Sequence, residues 1–252
     1  MIPKSELEDF LNHKALQYET PDYLKSDPLG LVHQFTQKED IEIIALIIST
    51  FAWGNRKSII KSGNKLIEIM DHHPFEFIKE YQGIHQLPHF VHRTFNRNDL
   101  HFFLTAIQNI YQESDLEKSF CLHPEIKGLK GRIVNFRSRM LSIDHEKRTE
   151  KHIANPLKNS SCKRINMFLR WMVRNSKCGV DLGIWSSIDA SELYIPLDVH
   201  TSRNARKLGL LKRKQNDWKA LEELMNNLRA FDPKDPSKYD YALFGLGVFE
   251  DF

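Results

Sequence analysis

The sequence predicts an all-α fold in one continuous, bilobal domain. Three observations predict it. Apolar residues recur at helical spacing in successive segments, short polar turns join those segments, and no convincing strand pair or internal repeat is present. At 252 residues, with 41% hydrophobic and 27% charged, the chain can bury a substantial core.

Each helix has its own signal. Thr36-Gln-Lys-Glu39 has capping-box spacing ahead of Ile41 to Ala52, where 9 of 12 residues are apolar. That length and cap favour a buried helix over a strand despite the β-branched residues. It stops at Trp53-Gly54. A second helix follows Asn55-Arg56, with Ile59, Gly63, Leu66, Ile67 and Met70 on one face, and ends before His72-His73-Pro74. Leu100 to Tyr111 and Ile133 to Leu141 read as two more helices. From Cys162 to Arg174, Ile165, Phe168, Leu169 and Met172 form a stripe, with Lys163, Met167, Arg170 and Arg174 on another face. Asn175 to Ala190 reads as a loop, and Leu193 to Ile195 as a short extended piece before Pro196. A helix from Val199 to about Leu208 is stopped by Gly209. Asp217 caps another, with Leu221, Leu224 and Leu228 inward. Pro233 and Pro236 break the chain before a last helix, Ser237 to Phe244.

Several function classes are excluded. The three cysteines, Cys121, Cys162 and Cys178, contain no CxxC, which rules out a cysteine-ligated zinc ribbon or a four-cysteine iron–sulfur cluster. An odd, sparse count fits a reducing cytoplasm. The charged start, Met1-Ile-Pro-Lys-Ser-Glu-Leu-Glu-Asp9, is not a signal peptide, and no window approaches a membrane-spanning apolar length. His85, His89 and His92 have a ligand-like spacing, but Pro88 interrupts a regular helix and no carboxylate completes the set, so no metal is expected. Gly245-Leu-Gly247 is a truncated GxG without the strand–helix context of a dinucleotide site.

Charge is concentrated in one stretch. Between Lys151 and Lys214 there are 13 Lys or Arg against 4 Asp or Glu, a net of +9, in a chain whose total is +3. Such a field points to a polyanion. Within it, Lys163 sits in the first turn of its helix and off the apolar stripe. The helix dipole disfavours a cation there and so favours the neutral amine that a Schiff-base nucleophile requires. Asp198 precedes a helix and is a natural N-cap; a carboxylate so placed stays ionised and can support an oxocarbenium-like sugar. Ser160 and Ser161 can cap the lysine helix or donate to a phosphate. Arg203, Arg206, Lys207, Lys212, Arg213 and Lys214 extend the basic run. The competing readings are a solvated lysine, a purely structural cap and a solvated charged face.

The segment Ile195-Pro-Leu-Asp198-Val-His200-Thr-Ser-Arg203-Asn-Ala-Arg206-Lys-Leu-Gly-Leu210 resembles the aspartate-containing motif of the helix-hairpin-helix DNA glycosylase superfamily. The Lys163 and Asp198 layout is most similar to the archaeal 8-oxoguanine DNA glycosylases, in which the lysine lies further upstream of the aspartate than in endonuclease III. Over nearly its full length the chain also resembles a bacterial family related to these enzymes, through Phe51-Ala-Trp-Gly-Asn-Arg56, Phe90-Val-His-Arg-Thr-Phe95, Ser161-Cys-Lys-Arg-Ile-Asn-Met-Phe-Leu-Arg-Trp-Met172 and Tyr239-Asp-Tyr-Ala-Leu-Phe-Gly-Leu-Gly247. Two features depart from the superfamily. The turn before Lys163, Pro156-Leu-Lys-Asn-Ser-Ser161, lacks the usual Gly-x-Gly, and the lysine lies 35 residues from the aspartate.

The resemblance implies a glycosylase-like fold of two helical lobes flanking a basic cleft. It implies a base-excision enzyme, with AP-lyase activity as an option, acting as a monomer on double-stranded DNA carrying a damaged base. The base would be an oxidised purine by analogy with the archaeal enzymes. Lys163 and Asp198 would be catalytic. Asn55, Arg56, Lys57, Ser160, Ser161, Arg164, His200, Thr201, Arg203 and Lys212 would contact DNA, and Trp53, His92 and Arg93 would line the base pocket. No cofactor and no membrane are expected, and the location is the cytoplasm, at the bacterial nucleoid. The alternatives are a glycosylase-shaped module that binds DNA or RNA without cutting, and a helical protein-interaction domain.

Overall fold

The structure, a computed structural model, describes residues 3–250 and 252. It is mostly helical, and its one sheet among the described residues is a two-stranded hairpin. The chain forms two compact units. A terminal unit holds the residues up to Tyr23 and from Asn155 onward, and a central unit holds Leu24–Ala154. No helix among the described residues is long and apolar enough to cross a membrane.

The chain starts with α1 (Lys4–Tyr18), which buries Leu7, Leu11, Ala15 and Tyr18 along one stripe, and the short α2 (Pro21–Leu24). The central unit follows with α3 (Leu29–Val32), α4 (Lys38–Phe51), α5 (Arg56–Ile69) and α6 (Pro74–Lys79). Next come β1 (Val91–His92), β2 (Phe95–Asn96), α7 (Arg97–Glu113), α8 (Leu116–Ser119) and α9 (Gly128–Met140). Every residue of α4 from Asp40 to Phe51 is buried, which explains a pattern with no polar face. The two carboxylates inside it have partners: Asp40 accepts from the Phe75 amide (2.8 Å) and Glu42 from the Tyr111 hydroxyl (2.5 Å). The expected Thr36–Glu39 capping box does not form. The N-cap is Gln37, which makes no side-chain cap bond, and the acidic first turn of Glu39 and Asp40 complements the dipole instead.

The hairpin was not expected. Its strands pair Val91 with Asn96 and His92 with Phe95, and two residues each are too few to show alternation in a sequence. Arg93, at its turn, takes a left-handed φ of 55°.

The terminal unit resumes with α10 (Lys163–Val173), α11 (Val199–Lys207), α12 (Trp218–Arg229) and α13 (Tyr239–Phe249). α13 packs against both α1 and α11. It runs beyond the expected end at Phe244, and the GxG pair lies inside it. A Cβ on Gly245 would overlap the Tyr18 ring of α1. One on Gly247 would lie 2.7 Å from Asn204 Nδ2 and 3.0 Å from His200 Cβ of α11. The two glycines therefore permit close helix approach and have no part in a dinucleotide site.

Two buried arginines one turn apart, Arg170 of α10 and Arg174 at its C-cap, bind the unit together. Arg170 pairs with Asp181 (3.2 Å) and Asp240, and its guanidinium lies 4.3 Å from the Tyr241 ring centre. Arg174 pairs with Glu19, Asp181 (3.0 Å) and Asp235 (2.8 Å). Tyr241 donates to Asp181 (2.9 Å) and Ser176 to Glu19 (2.5 Å), so the carboxylates are well partnered. Gly245→Ala is expected to destabilise the protein by about 1–3 kcal/mol through overpacking against Tyr18. Thermal unfolding checks this, and an unchanged midpoint would contradict the close α1–α13 packing.

Candidate active site

Lys163 is the first residue of α10, and the turn leading to it is unusual. Asn159 (φ 62°) and Cys162 (φ 50°) both adopt the left-handed conformation. Asparagine tolerates this region better than most residues, while at Cys162 it is strained. This turn contains no glycine and holds two other residues left-handed. Asn159 donates from its side chain to Asp217 (2.8 Å), and Trp218 N donates to Asn159 O (3.0 Å), which fastens the turn to the start of α12. Ser160 Oγ accepts from the Cys162 amide (3.2 Å), and Ser161 O accepts from Asn166 Nδ2 (2.9 Å). Neither serine is the N-cap of α10; that position belongs to Cys162.

Asp198 N-caps α11, as the sequence predicts. Its Oδ1 accepts from the Thr201 amide at 2.8 Å, while its Oδ2 lies 3.6 Å from Lys163 Nζ. One carboxylate thus fixes a helix end and faces the lysine at the same time. Lys163 is 36% exposed and Asp198 14%, so the pair opens to solvent from the lysine side.

Behind this pair lies Asp240 of α13, which the sequence reading did not single out. It is buried, pairs with Arg170, and its Oδ1 lies 3.4 Å from the Thr201 hydroxyl. Burial pushes its carboxyl up to about 7; Arg170 and Lys163 oppose the rise, and Asp198 adds to it. The signal available in the sequence was an aspartate in the otherwise apolar Tyr241–Leu246 neighbourhood, where a charge needs a buried partner.

The remaining expected contacts of the terminal unit divide into two groups. Arg203 and Lys212 are exposed, and His200 is half-buried against the Phe244 ring, with centroids 6.1 Å apart. Arg164 is half-buried, and burial lowers its guanidinium pKa. Thr201, expected to touch DNA, is instead fully buried beneath Asp198, with its hydroxyl directed to Asp240. Arg206 and Arg213 of the basic run are used structurally. Arg206 donates to the Arg213 and Lys214 carbonyls, and Arg213 pairs with Asp217.

The other expected site residues lie in the central unit. Asn55 N-caps α5, accepting from the amides of Lys57 (2.9 Å) and Ser58 (3.4 Å), so its side chain supports the helix. Arg56 lies 3.8 Å from Asp27, and Lys57 is exposed. Trp53, His92 and Arg93 do come together. The His92 ring contacts Ser62 Oγ (2.8 Å) and Trp53 O (3.3 Å), and the Arg93 guanidinium passes over Gly54, where a Cβ would collide with it. Burial lowers the His92 pKa, the Trp53 carbonyl opposes this, and Arg93 adds to it. Trp53 stacks on His152, 5.8 Å between centroids. His152 Nε2 is 3.3 Å from Asp99, which Arg148 (2.8 Å) and Thr149 (2.9 Å) also bind. Among the described residues no cluster of three His, Cys, Asp or Glu is placed to hold a metal.

Residues 27–249 match the family described as "Protein of unknown function (DUF2400)". The chain belongs to this family. No curated protein and no solved structure matches it. The DUF2400 span takes in every element from α3 to α13, and with them Lys163, Asp198 and Asp240.

In this DUF2400 chain Asp99 anchors the support beneath Trp53. Burial alone would raise its pKa, but the His152 ring 3.3 Å away and hydrogen bonds from the Asn96 amide and Thr149 hold it down to about 2. A depressed carboxylate contributes stability above its unfolded value, and this is lost as pH falls through the folded value. Asp99→Asn should therefore cost about 2 kcal/mol at neutral pH. The difference from wild type should shrink as pH falls from about 4 to about 2. Urea unfolding across pH tests this; a difference independent of pH would contradict it.

Proposed function

We propose that this protein is a DNA N-glycosylase that excises a damaged base through Lys163, with AP-lyase chemistry following from the same intermediate. The observation that carries the proposal is the 3.6 Å approach of Lys163 Nζ to Asp198 Oδ2, with the carboxylate held by its own helix cap. An amine beside a fixed carboxylate is what attack on a sugar carbon requires. The exposed cations Arg203, Lys207, Lys212 and Lys214 of the same unit and the resemblance of residues 195–210 to the glycosylase motif support the same reading.

The chemistry balances without a cofactor. The lone pair of Lys163 Nζ attacks C1′ of the flipped nucleotide, and the glycosidic C–N bond breaks with its electrons going to the base, which takes a proton from solvent. Asp198 stabilises the positive charge developing on the sugar and accepts the proton that the attacking nitrogen sheds. Opening of the sugar ring gives a C1′=N imine with Lys163. Solvent water takes a C2′ proton, the electrons of that C–H bond form a C2′=C3′ double bond as the C3′–O bond breaks and the 3′ phosphate leaves, and hydrolysis of the imine frees the lysine. The resemblance to the archaeal enzymes favours an oxidised purine as the base. In the central unit, the Trp53, His92 and Arg93 cluster is the candidate DNA contact.

The test is borohydride trapping and base release on duplexes carrying 8-oxoguanine, uracil, an alkylated purine or an abasic site. Wild type should form a covalent adduct on one of them, and Lys163→Gln should form none. Asp198→Asn keeps a good N-cap residue, so it should remain folded while base release falls by about a hundredfold or more. An adduct that persists in Lys163→Gln would refute the assignment. So would the absence of base release on every duplex with salt-sensitive binding retained, which would leave a module that binds DNA without cutting it.

A further inference from the structure

α5 presents a line of cations on the surface of the central unit. Lys57, Lys61 and Lys65 recur every four residues, so they follow one another at about 6 Å along one face of the helix. All three are exposed. With Ser58 and Ser62 they line an open groove of about 940 Å³ whose other wall is the hairpin, through Val91, His92 and Arg93. Glu68 is the one carboxylate among the described residues that line it.

The fold does not demand these charges. The inner face of α5 is Ile59, Gly63, Leu66 and Ile67, which pack without them. Lys57 sits in the first turn, where the dipole disfavours a cation. Among the described residues, none of Lys57, Lys61, Lys65 and Arg93 is paired with a carboxylate. Lys38, Arg56, Lys79, Lys118, Arg137 and Arg148 of the same unit each are. Lys65 is steadied by the His89 carbonyl (2.7 Å), and Arg93 is held across Gly54 at a left-handed turn position. Four unneutralised cations around one groove repel one another unless an anion lies between them. Their even spacing along a helix suits a polymer of regularly spaced phosphates, and the hairpin wall gives a trough suited to a strand, not a flat surface suited to a membrane.

We propose that this groove is a binding site for a nucleic-acid phosphodiester backbone, with Lys57, Lys61 and Arg93 as its phosphate contacts. It shares with the glycosylase proposal the polymer that is bound and the hairpin residue Arg93, and it needs neither Lys163 nor a damaged base.

The experiment measures binding of the full chain to a short undamaged DNA duplex over a range of salt. The variant Lys57→Ala/Lys61→Ala is compared with Lys127→Ala/Lys147→Ala, an exposed pair of equal charge in the same unit. The groove pair should bind about tenfold more weakly than wild type, and its log–log salt slope should fall by about 2, while the control pair keeps both values. Equal binding by the two variants would overturn the proposal. So would loss of binding to phosphatidylserine vesicles or to inorganic phosphate with DNA binding intact. Trapping of wild type on the damaged duplexes separates this result from the enzymatic one. Groove-dependent binding without any adduct removes the glycosylase chemistry and leaves the groove, and an adduct with groove-independent binding does the reverse.

Discussion

The paired burial of Arg170 and Arg174 is the constraint on which the terminal unit depends. Two guanidinium groups in the interior are tolerable only if every one of their charges is met, and Glu19, Asp181, Asp235 and Asp240 meet them. Those partners come from the end of α1, the loop after α10, the approach to α13 and α13 itself. Separate stretches of chain must therefore converge on one face of α10. Removing one partner would leave a buried charge unpaired, typically worth about 3–5 kcal/mol. The arrangement is thus expensive to alter in part, and this gives α10 a single position.

That position sets the geometry of the candidate site. Lys163 lies two turns before Arg170 on the same helix, so fixing the arginine fixes the lysine backbone. Asp240 meets Arg170 on one side and Thr201 on the other, and Thr201 in turn supplies the amide that Asp198 caps. The carboxylate opposite Lys163 is therefore held by its own helix end and by a buried neighbour behind it. A site on two helix termini locked by a common ion network has little freedom to drift, which is what attack by a lysine on a sugar carbon asks of it. The central unit follows a different logic. There Asp99, bound by Arg148, Thr149 and His152, supports the ring beneath Trp53, and the charged face of α5 is left unneutralised.

Much of this was legible in the sequence where local physics decides. The stripe from Ile165 to Met172, the caps at Asp198 and Asp217, and the stop at Gly209 each depend on near neighbours. The proximity of Lys163 and Asp198 was reached through a motif, since 34 intervening residues with an irregular loop hide it from any periodicity. What stayed hidden depends on distant partners. The packing role of Gly245 and Gly247 stayed hidden because Tyr18 and Asn204, which explain them, are far away in the chain. Thr201 read as a surface contact because Asp240 lies on another helix. The hairpin at Val91–Asn96 was too short to register, and Asp240 itself carried only the weak sign of a charge among apolar residues.

The central claim is that Lys163, facing Asp198, is the nucleophile. The most direct measurement is peptide mass spectrometry of the wild-type protein after borohydride reduction on abasic-site DNA. The account predicts that the reduced sugar adduct is found on Lys163. An adduct on another amine, such as Lys61 or the N-terminus, with Lys163 unmodified, would contradict it.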